Sequence, residues 1–199
     1  QEFTKLINQS NYLVPRMTAT DFQDVIEGPV RVAGANIDEK LVRKLLEDIG
    51  DNPDQLPVLQ HVLMRTWDYW SSHNDLSKPI TSSDYEAVGM IEKALSEHAN
   101  EAYDELDERE KQICESIFRT LTEKGGDNRG VRRPTKVKQL AEISQSSVEE
   151  VIKIVNIFRA HGRSVLVPSY KVNIDEDSVV DITHESFMRI WERLRVWVK

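Results

Sequence analysis

Gln145-Ser146-Ser147-Val148-Glu149-Glu150-Val151-Ile152-Lys153-Ile154-Val155-Asn156-Ile157-Phe158 is a turn, a helix N-cap and an amphipathic helix in one run. Val148, Val151, Ile152, Val155 and Phe158 recur at spacings of three and four, which puts them on one helical face, and Gly162 closes the run. Two β-type runs follow, Ser164–Val167 and Val179–Thr183. A polar hairpin with Asp175-Glu176-Asp177-Ser178 at its tip joins them. Upstream, Asp107 and Glu110 stand at capping-box spacing, with Asp in place of Ser or Thr. They precede an apolar face of Ile113, Cys114, Ile117, Phe118 and Leu121, and Gly125-Gly126 is expected to stop that helix. Thr135 opens a short helix through Ile143. The order helix, helix, turn, helix, two-stranded wing is that of a winged helix-turn-helix domain. One more helix is expected after it, with Phe187, Trp191, Leu194 and Val198 on one face.

The N-terminal half is patterned differently. Thr18 and Thr20 are candidate N-caps for Asp21–Val25, and Gly28-Pro29 is expected to interrupt. Ile37, Leu41, Val42, Leu45, Leu46 and Ile49 share a helical face that Gly50 ends. Asp51-Asn52-Pro53-Asp54 is a turn by its chemistry, Asx side chains plus a fixed φ. Leu59, Val62, Leu63, Thr66, Trp67 and Trp70 form the next stripe. Pro57 sits in its first turn, where a missing N–H costs nothing. After the polar stretch Ser71–Pro79, one of Thr81, Ser82 or Ser83 caps a short helix through Tyr85. A longer helix carries Ile91, Leu95, His98 and Ala102 in register. The half reads as a bundle of four or five helices.

The fold class expected is therefore mainly α: a helical bundle over residues 1–104, then a winged helix-turn-helix domain with a small β-wing and a C-terminal helix over 105–199. Charge divides at the same place. Residues 1–104 hold 9 Lys/Arg against 18 Asp/Glu, and residues 105–199 hold 17 against 16, within a net charge of -8 for the 199 residues. The one dense basic stretch runs from Lys124 to Lys138 through Arg129, Arg132, Arg133 and Lys136. It is either a solvated loop or a patch for phosphate or an acidic partner. A hydrophobic content of 39% with 8 Gly and 7 Pro excludes collagen, a disulfide scaffold and wholesale disorder. No apolar run reaches the roughly 18 residues of a membrane span, and no signal-peptide pattern is visible. The single Cys114 cannot form an internal disulfide, so a reducing, cytoplasmic setting is expected.

Catalytic and metal motifs are missing from the sequence. There is no G-x-x-x-x-G-K-[ST] or G-x-G-x-x-G loop and no Cys/His pair at metal spacing. His184-Glu185 is half of H-E-x-x-H, but position 188 is Met. Cys114, on an apolar helix face, reads as an inert core thiol. His61, His73, His98 and His161 have no partner evident from spacing. Two motifs remain. Leu56-Pro57-Val58-Leu59-Gln60 is a proline opening an apolar helix after an acidic turn. In Asp181-Ile182-Thr183-His184-Glu185-Ser186-Phe187-Met188-Arg189-Ile190-Trp191 a β-run delivers His184 to a strand-to-helix junction, near free helix N–H groups where anions settle. His184 either packs or caps there, or donates a hydrogen bond to a phosphate brought from elsewhere.

Five segments in order carry a resemblance: Tyr12-Leu13-Val14-Pro15-Arg16-Met17-Thr18, Ile26-Glu27-Gly28-Pro29, Leu45-Leu46-Glu47-Asp48-Ile49-Gly50, Leu56-Pro57-Val58-Leu59-Gln60-His61-Val62-Leu63, and Ile182-Thr183-His184-Glu185-Ser186-Phe187 with Trp191. Together they resemble the C-terminal part of the nucleotide module of bacterial STAND-class P-loop NTPases, in the subgroup often linked to WD-repeat propellers. The resemblance implies that residues 1–104 are the AAA-type helical lid and 105–199 the winged helix, both closing over ADP or ATP. Pro57 matches the lid proline of the family's G-x-P motif, which packs on the adenine; Gln55 stands where that motif has Gly. Thr183-His184-Glu185 matches a Met-His-Asp signature whose His contacts the ADP β-phosphate and holds the resting state. The phosphate loop, the Mg-binding acids and the sensor arginine would all precede Gln1. The 199 residues alone are then expected to be no enzyme, to hold no metal and to need no cofactor.

The partners implied are the P-loop domain of the same chain, a C-terminal WD-repeat or other sensor domain, and further copies of the protein on activation, with no membrane. Two other readings compete. A DNA-binding winged-helix regulator fits the element order, but its recognition helix would begin Ser146-Ser147-Val148-Glu149-Glu150, with only Lys153 and Arg159 to offset the acid. A protein-interaction module would use the acidic helical half as its docking surface.

Overall fold

The computed structural model of the chain describes residues 17–50, 56–124 and 130–198. Tyr12–Arg16, the Asp51–Asp54 turn, Gln55, Gly125-Gly126 and Arg129 lie outside them. The described residues are mainly helical, with ten helices and small antiparallel sheets.

Five helices make the first unit: α1 (Ala19–Val32), α2 (Glu39–Ile49), α3 (Leu56–His73), α4 (Ser82–Ala87) and α5 (Met90–Asp104). Thr18 caps α1 in a reciprocal box with Asp21. The expected interruption at Gly28-Pro29 does not occur. The helix runs through Pro29 to Val32, because a single ring removes one i→i−4 bond while Ile26 and Val30 are held in the core on either side. Gly50 ends α2 at φ 54°, a left-handed φ that glycine adopts without a Cβ penalty. Tyr85 ties three helices together. Its ring is fully buried, its hydroxyl donates to Asp48 Oδ2 at 2.8 Å, and it accepts the Ile91 N–H at 2.9 Å.

The second unit begins with α6 (Glu108–Thr120), capped by the Asp107/Glu110 box. The helix stops before the glycines. Leu121 is its C-cap, and β1 (Thr122–Lys124) pairs antiparallel with β2 (Gly130–Arg132), a hairpin that the sequence pattern did not predict. β3 (Thr135–Lys136) then leads into α7 (Val137–Ser144). Ser147 caps α8 (Val148–Phe158) in a box with Glu150. β4 (Leu166–Val167) and β5 (Val179–Ile182) pair antiparallel as expected, with Leu166 opposite Ile182. β3 adds on the other side of β5 with Thr135 opposite Val180, giving the order β3-β5-β4. Val180 and Ile182 point into the core while Val179 is exposed, the alternation of a half-buried strand.

The single C-terminal helix that was expected is two: α9 (Glu185–Ile190) and α10 (Glu192–Trp197). The break is at Trp191, whose ψ of 106° leaves the helical region. Packing overrides the 3.6-residue pattern there. The kink seats the Trp191 indole edge-on to Phe118 with centroids 4.9 Å apart, next to Phe158 and Phe187.

Two hydrophobic cores result. One gathers Ile26, Leu41, Leu45, Leu59, Val62, Tyr85 and Ala94. The other gathers Leu95, Ala99, Phe118, Leu140, Ile154, Phe158, Val180 and Trp191. The division falls inside α5, which serves both, and Ile190 of α9 packs against each. Among the described residues no helix is long and apolar enough to cross a membrane.

Candidate functional site

Pro57 is the second residue of α3 and half-buried. Its neighbours Leu56 and Gln60 line a cavity of about 600 Å³ between α1 and α3. The walls are apolar, with Val25, Pro29, Leu41 and Trp67 prominent; the polar lining residues are Gln60 and Thr66. The Thr66 hydroxyl is committed to the Val62 carbonyl at 2.7 Å, which leaves the exposed Gln60 amide as the group able to bond a guest. A greasy cleft with one amide at its edge suits a flat heteroaromatic ring.

His184 is placed by its neighbours. β5 ends at Ile182. Thr183 is anchored twice, its N–H to Val165 O at 3.0 Å and its hydroxyl to Ser164 O at 2.6 Å. The chain then turns into α9 with His184 as N-cap in extended geometry (φ −141°, ψ 141°). Its carbonyl accepts the Phe187 N–H, while its imidazole, exposed, makes no capping bond. Desolvation lowers the His184 pKa, and the Arg132 guanidinium lowers it further. Arg132 bonds Asp181 at 2.9 Å and lies 4.0 Å from Glu185. Two residues beyond His184, the Ser186 hydroxyl is buried and has no hydrogen-bond partner among the described residues. The imidazole and the orphaned hydroxyl are open hydrogen-bonding groups, while the guanidinium is already shared with Asp181 and Glu185. The sequence pointed to His184 and, separately, to a basic stretch that includes Arg132. Arg132 comes from the β1–β2 hairpin, which no local pattern ties to position 184.

No hydrogen bond among the described residues joins Pro57 and His184. Their link is α5, against which both α3 and α9 pack. Within the basic stretch, Lys136 and Lys138 both bond Asp177, at 3.1 and 2.8 Å. On α8, Lys153 pairs with Glu110, and Arg159 is 4% exposed, its guanidinium spent on Asn156 and on the carbonyls of Pro168 and Ser169.

Histidines that showed no partner by spacing have one in space. His98 Nδ1 lies 3.2 Å from His61 Nε2, His73 bonds the Tyr69 carbonyl, and His161 meets Tyr170 edge-on. Cys114 is fully buried, and desolvation pushes its thiol pKa well up. No group of three or more His, Cys, Asp or Glu among the described residues is placed to hold a metal ion.

The family model described as Novel STAND NTPase 1 matches residues 1–199. The chain belongs to this STAND NTPase family. No curated protein and no solved structure matches the chain.

Proposed function

We propose that this chain is the regulatory lid and winged-helix segment of a STAND-type signalling NTPase. On this reading residues 1–104 are the lid and 105–199 the winged helix. They close over ADP or ATP held mainly by a P-loop domain elsewhere in the same protein, and they set nucleotide-dependent activation and oligomerisation. The observation that carries the proposal is the His184 junction, with its free imidazole and the unsatisfied Ser186 hydroxyl. The apolar cleft at the first turn of α3, lined by the neighbouring Leu56 and Gln60 and not by Pro57 itself, supports the adenine side of the reading.

ADP, when bound, supplies a base for the Pro57 end of α3 and a phosphate for the His184 end of α9. His184 would then donate from its imidazole, while Arg132 stays paired with Asp181. A charge-assisted hydrogen bond is worth about 1.5–3 kcal/mol, roughly a tenfold to hundredfold bias between closed and open forms. Only that difference in affinity between the two forms moves the equilibrium. The sequence has no G-x-x-x-x-G-K-[ST] loop, and hydrolysis by these residues alone is not part of the proposal. A C-terminal WD-repeat or other sensor domain and further copies of the protein are the partners this reading adds.

The test is His184→Ala in the full-length protein. It should leave purification with less bound ADP, read by chromatography of the released nucleotide, and should activate without its signal. Unchanged ADP content would overturn the assignment of His184.

A further inference from the structure

Helices α3 and α5 meet through two polar pairs one turn apart. His61 and Arg65 project from one face of α3, and His98 and Glu101 from one face of α5, the i,i+4 and i,i+3 spacings that align side chains. His98 Nδ1 approaches His61 Nε2 to 3.2 Å, with ring centroids 5.1 Å apart. Arg65 grips both oxygens of Glu101 at 2.9 Å each. From the second unit, Arg163 also acts on His98, and it is itself bonded to Glu105. The charged groups acting on the imidazole pair are therefore Arg65, Arg163 and Glu101, and the one carboxylate among them is committed to Arg65.

An N–H···N contact needs a donor on one ring and a lone pair on the other. Two protons abolish it outright. Even the first is opposed by Arg65 and Arg163, in a site that both rings share half-buried. We propose that the His61–His98 contact is a proton-sensitive joint: neutral, it clamps α3, the helix that carries Pro57, onto α5; protonated, it releases α3 from α5. The inference rests on this contact and holds whether or not Pro57 meets a nucleotide.

The electrostatics agree in sign. Burial, then Arg65, depresses His61 to about 4 against the pull of Glu101. Burial, Arg65 and His61 depress His98 to about 3. Once α3 separates, the hydrated rings regain the ordinary value of 6.5. Between pH 7.5 and 5.5 the joined form takes up almost no protons and the separated form takes up most of its two. Acid therefore favours separation, by about tenfold per imidazole over that window and up to about a hundredfold for the pair.

Hydrogen exchange on the full chain at pH 7.5 and 5.5, corrected for intrinsic rates, reads this directly. Protection of Leu56–His73 should fall tenfold to a hundredfold more than that of Val148–Phe158. In His61→Gln/His98→Gln the extra fall should shrink below twofold. Equal protection of α3 at both pH values, a parallel loss in α8, or an undiminished pH effect in the double variant would each overturn the proposal. Should that variant not fold, 15N-imidazole titration of the wild type decides: both rings should stay neutral through pH 5.5, and midpoints near 6.5 would refute the joint.

Discussion

The indole N–H of Trp191 donates to the side-chain carbonyl of Asn100 at 2.9 Å, across 91 residues of sequence. The same oxygen accepts from Arg193 Nε at 3.0 Å. One amide on α5 thereby holds the break between α9 and α10, and with it the helix that begins at His184. Asn100→Ala leaves a fully buried indole without an acceptor. It should cost about 1–3 kcal/mol in urea-induced unfolding, whereas Asn100→Asp, which keeps an oxygen there and adds attraction to Arg193, should lose much less.

Much of the architecture was legible because it rests on local chemistry. The capping box at Asp107/Glu110, the N-cap in Gln145-Ser146-Ser147, the glycine stop at Gly50 and the β4–β5 pairing stand where residue pattern put them. What escaped was decided at long range. Pro29 reads locally as a break, yet the buried flanks Ile26 and Val30 carry the helix through it. Trp191 fits a helical stripe, yet the aromatic cluster around Phe118 bends the backbone there. The site divides the same way. A strand-to-helix junction at His184 is visible in sequence, while Arg132, 52 positions earlier, reaches it only through the register of a hairpin.

Cys114 offers a chemical check on the second core. Thiolate, not thiol, attacks disulfide reagents, and burial among apolar side chains holds this thiol protonated and shielded. In native protein at pH 8, reaction with an aromatic disulfide should proceed at least about a hundredfold slower than in denaturant, given stability in the ordinary range of about 5–15 kcal/mol. Release of one equivalent of chromophore within seconds from folded protein would contradict this packing.

Glu150 gives a carboxylate whose titration reports a cross-helix contact. Arg109 Nε bonds one oxygen at 2.9 Å, and the Ser147 N–H bonds the other at 2.8 Å. Arg109 first, then the Ser147 amide, lowers its pKa to about 2. A carboxyl whose folded value lies below its unfolded one stabilises the fold above the unfolded pKa, 4.5 here, and loses that contribution as pH falls toward about 2. In a carboxyl-detected NMR titration Glu150 should reach its midpoint near 2, and Arg109→Ala should raise it toward the ordinary range. A wild-type midpoint near 4.5 would mean that the α6–α8 pair does not form in solution.

The rival reading as a DNA-binding regulator meets its strongest obstacle in where the positive charge goes. A winged helix bound to duplex DNA needs free cations on the helix entering the groove and along the wing. On α8, Lys153 is neutralised by Glu110, and Arg159 is sealed inside. On the wing, Asp177 takes both Lys136 and Lys138, and Asp181 takes Arg132. A phosphate contact at any of these paired cations would have to displace a carboxylate of the protein, in a chain of net charge -8 that repels the duplex at a distance. Titration of a labelled random duplex at about 50 mM salt, where cation–phosphate contacts are strong, should therefore give no change in anisotropy up to about 10 μM protein, well inside the 10⁻⁴–10⁻⁶ M range of non-specific binding. Saturable binding that weakens steeply with salt would reverse this assignment and turn Glu149 and Glu150 into the residues needing explanation.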